Sequence, residues 1–422
     1  MLLTYRILEQ IAKTEFSDIV KNATLIGGKS AQPNKLRVFL IDGSFLDFWL
    51  SEENDYSFHW EQRAVRGLIH RWDNAPDHPE VESFPHLEFK KNNPETQILA
   101  LDNLKRRGSE LNLPRLKQNG IEFIHGDIRN REDLESAGKA DLIIECSAEP
   151  SVMAGYNSSP EYLINTNLLG TVNCLEYARK RDADVVFLST SRVYPMRTIN
   201  NLDFIETSTR FELSEEQSIP GASSKGFTED FPLHGPRTLY GATKLASELI
   251  LQEYIEMYGI RGVINRCGLL TGSWQMGKVD QGVIVLWVAK HHYQQSLSYI
   301  GFGGQGKQVR DILHVKDLYR LLEIQINDMD SHNGEIYNVG GGLERTVSLL
   351  ELTRLCQEYT GNKIPMERVN EDRAGDIRIY ITDNSKITEK TGWKPEISVD
   401  QIIQEISVWI GDNSEQLRPI LA

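Results

Sequence analysis

From residue 97 onward, short apolar runs suited to buried strands alternate with stretches whose apolar positions recur every three or four residues. Strands are predicted at 97–101, 121–125, 141–146 and 184–189, with helices at 109–119, 131–137 and 160–181 between them. A longer helix at 239–258 and a strand at 262–265 follow. Such alternation predicts parallel β-α-β units and an α/β domain of the doubly wound kind, spanning 96–411. Past 265 the pattern loses its regularity, which predicts a C-terminal substrate lobe mainly from about residue 266, and residues 412–422 read as a tail.

Residues 1–95 follow another pattern. One helical run at 5–21 precedes a long apolar stretch at 36–50, and Asp42-Gly43 within it is a hairpin signal. Strand-like pieces at 56–63 and 67–72 complete a small α+β meander, and Lys90-Lys-Asn-Asn-Pro-Glu95 reads as a polar linker. A chain of 422 residues is in any case expected to hold two or more domains.

Composition narrows the function classes. A formal charge of −14 argues against a nucleic-acid groove across the whole molecule, although Lys105, Arg106 and Arg107 form a local basic patch. Four cysteines, Cys146, Cys174, Cys267 and Cys356, are scattered without a Cys-x-x-Cys spacing, so neither a disulfide framework nor a metal site is predicted. No basic leader precedes an apolar core at the N-terminus and no apolar run approaches a membrane span, so no membrane partner and a cytoplasmic setting are the expectation.

The candidate chemistry lies in Leu-Tyr-Gly-Ala-Thr-Lys-Leu-Ala, where Tyr240 and Lys244 stand four residues apart and share one helix face. Thr190 ends the strand-like run before it, in Leu-Ser-Thr-Ser-Arg-Val-Tyr. A phenol ionises at about 10 and a useful base nearer 7, so about 4 kcal/mol must come from neighbouring cations and hydrogen bonds. Lys244, an oxidised nicotinamide and the Thr190 hydroxyl are the expected sources. Motif and context together resemble the extended short-chain dehydrogenase/reductase superfamily of sugar-nucleotide epimerases and dehydratases. The resemblance implies NAD as cofactor and Thr190, Tyr240 and Lys244 as the catalytic set.

A domain of that kind should open with a strand, a glycine-rich turn and a helix whose amides hold the pyrophosphate. The early candidate, Leu25-Ile-Gly-Gly-Lys-Ser, lacks a third glycine, meets Pro33, and precedes Asp102 by about 75 residues, where about 20 are expected. Gly27-Gly28 therefore reads as a turn, and the sheet is predicted to lack its first strand, glycine-rich loop and helix. Such a loss would forfeit roughly four to six buried apolar side chains at ~1.5–3 kcal/mol each. That is comparable with the ~5–15 kcal/mol net stability of a domain.

Further motifs extend the resemblance. Asp102 closes its strand where a carboxylate would accept the adenosine ribose hydroxyls, favouring NAD over NADP. Asn103, Asp127 and Ile128 in the next loops, Ser147 and Ala148 in Glu145-Cys-Ser-Ala-Glu-Pro-Ser151, and Asn167 in Asn-Leu-Leu-Gly-Thr171 are implied cofactor residues beside Tyr240 and Lys244. Val279-Asp-Gln-Gly282, the run Gly304-Gln-Gly-Lys-Gln-Val-Arg-Asp, Tyr337-Asn-Val-Gly-Gly-Gly342 and Arg373-Ala-Gly-Asp376 resemble the CDP-paratose 2-epimerases, also called CDP-tyvelose epimerases. Arg310 and Arg373 are expected to pair with a nucleotide diphosphate, and Gln281 and Gln308 to touch sugar or base. The implied substrate is a nucleotide-sugar, a CDP-linked deoxyhexose.

Two departures separate rival activities. Leu269 stands where UDP-galactose 4-epimerases carry Asn, and Ser191 and Arg192 stand where 4,6-dehydratases carry an Asp-Glu pair. The helices that begin near Pro160 and Leu239 are those through which similar enzymes associate, so a homo-oligomer is expected. Residues 1–87, ending in Arg71-Trp-Asp-Asn-Ala-Pro-Asp-His-Pro-Glu80 and Phe84-Pro-His86, resemble the TumE family of small toxins. His70, His78 and His86 are then either turn and surface residues or remnants of an RNA-acting site. The alternative to an active epimerase is a fusion pseudoenzyme with impaired NAD binding.

Overall fold

The computed structural model describes residues 2–26, 35–50, 56–62, 68–73, 95–156, 158–277 and 281–422. The chain divides into two units, Met1–Glu80 and Val81–Ala422. The expected turn at Gly27-Gly28, His78, His86 and the linker at 90–94 lie outside the described residues, as does the boundary itself.

In the first unit, helix α1 (Leu2–Thr14) precedes five antiparallel strands paired in chain order, β1 (Val20–Ile26), β2 (Lys35–Leu40), β3 (Phe45–Leu50), β4 (Tyr56–Gln62) and β5 (Leu68–Asp73). The helix starts earlier and ends sooner than the expected 5–21: residues 15–19 form turns, and from Val20 the chain pairs with β2. Strand alternation sorts the faces: Leu36, Val38 and Leu40 pack with Ala23 and Tyr5. Arg37, between them, turns to the other face and donates through Nε to Asp47 at 2.6 Å. The Asp42-Gly43 hairpin forms as expected, with Gly43 at φ +88° and the Asp42 carboxylate accepting the Ser44 N–H at 2.9 Å.

The second unit is the expected α/β domain. Strand β6 (Leu99–Asp102), helix α2 (Leu113–Gln118), strand β7 (Glu122–His125), helix α3 (Arg131–Glu135) and strand β8 (Leu142–Glu145) alternate along the chain. Helix α4 (Thr171–Arg181), strand β9 (Asp184–Thr190), helix α5 (Leu239–Tyr258) and strand β10 (Gly262–Cys267) continue the pattern. The expected helix at 160–181 is interrupted by a π turn at Asn165–Gly170, and the one at 109–119 opens with a 3-10 turn at Ser109–Asn112.

Helix α6 (Val283–His292), strand β11 (Val309–His314) and strand β12 (Ile336–Val339) follow, and β12 returns to the main sheet, whose order is β12-β10-β9-β8. Strands β6 and β7 form a separate parallel pair. Among the described residues β6 pairs only with β7, and β8 pairs in parallel only with β9. Burial follows pairing: all six residues of β10 are buried, whereas β8 leaves Ile144 38% exposed. The predicted lack of a first strand, glycine-rich loop and helix concerns this place between β6 and β8. Residues 81–94, just before β6, lie outside the described residues.

The C-terminal lobe has its own core. Helix α7 (Val399–Asp412) starts from a capping box of Ser398 and Gln401, and its Ile402, Ile403, Ile406, Trp409 and Ile410 fall on one buried stripe. Each such side chain contributes about 1.5–3 kcal/mol by leaving water. Residues 412–422 are not a loose tail: helix α8 (Ser414–Leu421) buries Leu417 and Leu421 in the same core.

Candidate functional site

The site gathers where β9 ends and α5 begins. Thr190 closes β9 in extended conformation, and its hydroxyl accepts the Arg192 N–H at 3.2 Å, which starts the tight turn Ser191–Val193. Thr238 caps α5 by accepting the Gly241 N–H at 3.3 Å. The helix is pinned to β10 by a buried ion pair, Arg266 Nη2 to Glu248 Oε2 at 2.8 Å. Tyr240 and Lys244 thereby face the sheet end, where they line the same cleft wall as Thr190.

The electrostatics differ from the sequence expectation in one respect. Lys244 is 1% exposed, lies 3.9 Å from the centre of the Phe187 ring and sits with Nζ 3.6 Å from Glu145 Oε2. Its charge is therefore shared with a carboxylate. Burial pushes the Tyr240 phenol above its ordinary range; the Thr190 hydrogen bond and then the Arg192 guanidinium act against that rise. Burial also raises Glu145, against the pull of Lys244 and the Ser147 N–H.

A cleft of about 760 Å³ runs from this point into the lobe. Of the expected residues, Thr190, Tyr240, Lys244, Ala148, Gln281, Gln308, Arg310 and Arg373 all line it. Arg310 donates to Asp376 Oδ1 at 2.8 Å and to the Ile377 carbonyl at 2.7 Å, and burial pushes its guanidinium down to about 10. The side-chain oxygens of Gln281 and Gln308 are buried without a hydrogen-bond partner among the described residues. Val279 and Asp280, beside Gln281, lie outside those residues.

The other expected residues are elsewhere. Asp102, Asn103 and Asp127 cluster at the ends of β6 and β7, where Asn103 donates to Asp127 Oδ2 at 2.9 Å and Asp102 accepts the Leu104 N–H at 2.6 Å. Burial works to raise Asp127, but the Arg129 fork and Asn103 hold it at about 2. Ile128 packs in a hydrophobic cluster with Leu134, Cys174 and Tyr177. Asn167 is fully buried behind the wall, accepting the Glu149 N–H at 2.7 Å and donating to the Glu149 carbonyl at 3.1 Å. The Ser147 N–H donates to Glu145 Oε1 at 2.9 Å. These two hold the loop that carries Ala148 rather than line the cleft.

Sequence reasoning missed Glu145 and Lys290 and treated Arg192 only as a departure from another pattern. Their signal is the cleft's charge: Arg192, Lys244, Lys290, Arg310 and Arg373 face Asp311 and Asp376 there, a cationic lining in a chain of net charge −14. An anionic ligand is favoured. Along the same wall, the Lys244 ammonium and the Tyr240 and Thr190 hydroxyls form a donor set that fits the ribose and amide of a nicotinamide nucleotide. The described residues contain no group of three or more metal-ligating side chains and no helix long and apolar enough to cross a membrane.

Residues 87–340 match the family described as the NAD dependent epimerase/dehydratase family, and residues 7–97 match toxin TumE. CDP-paratose 2-epimerase of Salmonella typhi is 29% identical over 320 residues, covering 74% of this chain and 91% of that protein. A dTDP-glucose 4,6-dehydratase of Streptomyces niveus is 28% identical over 77% of this chain and 87% of its own length. Among solved structures, UDP-glucose 4-epimerase of Thermus thermophilus, in complex with NAD, superposes with a TM-score of 0.62 at 23% identity. The match covers 78% of this chain and 96% of that one.

Proposed function

This chain belongs to the NAD-dependent epimerase/dehydratase family, and from that premise we propose that it inverts C2 of a CDP-linked 3,6-dideoxyhexose, as a CDP-paratose 2-epimerase. The observation that carries the reading is that Thr190, Tyr240 and Lys244 line one cationic cleft. The similarity to the Salmonella enzyme supports the choice of sugar. Ser191 and Arg192, which stand where a dehydratase would carry acids, weigh against loss of water.

NAD, when bound, supplies a reversible acceptor of hydride. Tyr240 takes the proton of the sugar hydroxyl as the carbon beneath it gives up its hydride, and Thr190 holds the same oxygen by a hydrogen bond. Lys244 would hold the nicotinamide ribose. The resulting ketone would turn over within the cleft, and Tyr240 would give the proton back to its oxygen once the carbon is reduced on the opposite face. Arg310 and Arg373 hold the diphosphate through the turn, with Gln281 and Gln308 on sugar or base. Asp102, Asn103 and Asp127 face the adenosine end, while Ile128, Ser147 and Asn167 shape the wall behind it.

Incubation with CDP-paratose in deuterated water, followed by proton NMR, tests this. The expected product is CDP-tyvelose that keeps its original hydrogen at C2. A deoxy-keto sugar would point to the dehydratase, and absence of both turnover and retained NAD defeats the reading.

One observation favours a second reading: β6 and β8 each lack a second partner strand among the described residues. On that reading the chain is a fusion pseudoenzyme with weakened NAD binding, and the TumE-like segment supports an RNA-directed activity at its front. Degradation of cellular RNA on expression of the full chain, without NAD retention, is its expected signature.

A further inference from the structure

One polar atom of the cleft has its role fixed by a neighbour. Gln308 is 4% exposed and lines the cleft immediately before β11. Its Nε2 donates to the Ile300 carbonyl at 2.7 Å. Exchanging the two ends of the amide would set oxygen against carbonyl oxygen, so Nε2 stays on Ile300 and Oε1 is left as an acceptor. That oxygen is buried and has no hydrogen-bond partner among the described residues. A buried acceptor left unpaired costs stability that a ligand's donor recovers.

The other unpaired carbonyl and carboxylate oxygens of the cleft lining are placed differently. Gln281 Oε1 is one, but no hydrogen bond among the described residues anchors its amide, so its two ends can exchange. Asp311 Oδ1 is another, yet Asp311 is 0% exposed, and the Gly342 and Thr382 N–H groups hold its Oδ2 in the wall at 3.1 and 3.2 Å.

The surroundings of Gln308 suit a flat ring. Its carbonyl accepts the Leu349 N–H at 3.3 Å, which continues the ladder of Val309 with Ser348 and Arg310 with Val347. Ile300 and Leu349 therefore bracket it, and both line the cleft with Leu297 and Val347. Arg310 stands two residues further along the same extended run, about 7 Å away and on the same face. A ribose spans that interval, so the ring of a pyrimidine nucleoside diphosphate reaches Gln308 when its phosphates lie at Arg310.

We infer that Gln308 Oε1 accepts a hydrogen bond from the exocyclic amine of cytosine, and that this contact selects a CDP-linked substrate over its UDP- and dTDP-linked counterparts. Uracil and thymine carry a carbonyl oxygen where cytosine carries the amine. Their one edge donor, N3–H, lies between two carbonyl oxygens that crowd the same acceptor. This role of Gln308 rests on the nucleotide-sugar reading of the cleft.

Isothermal titration calorimetry of the full-length protein tests it, with CDP, UDP, dTDP and the diphosphate of the 2-pyrimidinone ribonucleoside, which is cytidine without its amine. CDP is expected to bind the natural protein about tenfold or more tighter than the others, the scale of one buried acceptor left unpaired. In Gln308→Met, which removes the oxygen, all are expected to bind alike, because only CDP loses affinity. A natural protein that binds UDP or the 2-pyrimidinone analogue as tightly as CDP overturns the assignment and leaves the nucleotide-sugar reading standing. So does a Gln308→Met variant that keeps the preference. Binding of none of these diphosphates removes that reading, and the role of Gln308 with it. Should Gln308→Met not fold by circular dichroism, Gln308→Asn, which withdraws the oxygen by one methylene, is titrated in its place against the same outcomes.

Discussion

Glu145 at the end of β8 and Lys244 on α5 form a buried pair beneath the cleft, with 3.6 Å between Oε2 and Nζ. Both charges have left water, so each depends on the other. Lys244→Met is expected to destabilise the protein by about 3–5 kcal/mol, because it leaves a buried carboxylate without a cation. E145Q/K244M should recover most of that loss. Chemical denaturation of the natural protein and both variants measures it, and a double variant no more stable than Lys244→Met would refute the coupling.

Much of this site was legible in the sequence because its parts are local. The Thr238 cap, the i, i+4 placement of Tyr240 and Lys244, and Thr190 at a strand end follow from neighbouring residues alone. What was not legible comes from contacts distant in sequence. Glu145 reads as one more polar residue at a strand end until the fold carries it under α5. Arg192 joins the cleft wall only once the turn after β9 packs its carbonyl against Gly241. Ile128 and Asn167 sit near cofactor positions in sequence, yet their side chains serve packing and loop anchoring. The terminal helix was hidden by its polar Ser414-Glu-Gln start and by Pro419 inside it, while tertiary burial of Leu417 and Leu421 holds it in place.

The approach of Gly241 to Arg192 makes a sharp prediction. Its helical backbone would tolerate alanine, but the added Cβ meets a backbone oxygen at 2.0 Å, which no side-chain rotation relieves. Gly241→Ala should cost about 1–3 kcal/mol of stability by overpacking. Thermal unfolding measures the loss, and a variant as stable as the natural protein would refute the close approach.

Acid should weaken the β6 and β7 ends. Asp127 is brought from its ordinary 3.8 to about 2: burial works to raise it, and the Arg129 and Asn103 hydrogen bonds outweigh burial. A carboxyl depressed on folding adds stability that is complete above the unfolded value and fades as pH falls toward the folded one. About 2 kcal/mol should therefore be lost between about pH 4 and pH 2. Asp127→Asn should flatten that part of the stability profile while lowering stability at neutral pH. An unchanged acid slope in the variant would remove Asp127 from the account.

Association is expected through the helices beside the cleft. Leu249 and Met257 on α5 are 57% and 66% exposed, and Leu169 in the neighbouring π turn is 51% exposed, an apolar surface on helices that pack together. A second copy covering this face would bury those side chains and stiffen the helix that carries Tyr240. L249E/M257E places two carboxylates at solvent-exposed positions of one chain, where they cost little, but at the centre of the contact between two. Light scattering should find the natural chain dimeric and the variant monomeric at micromolar concentration, with circular dichroism unchanged. A monomeric natural chain, or a variant that still associates, would place the contact elsewhere.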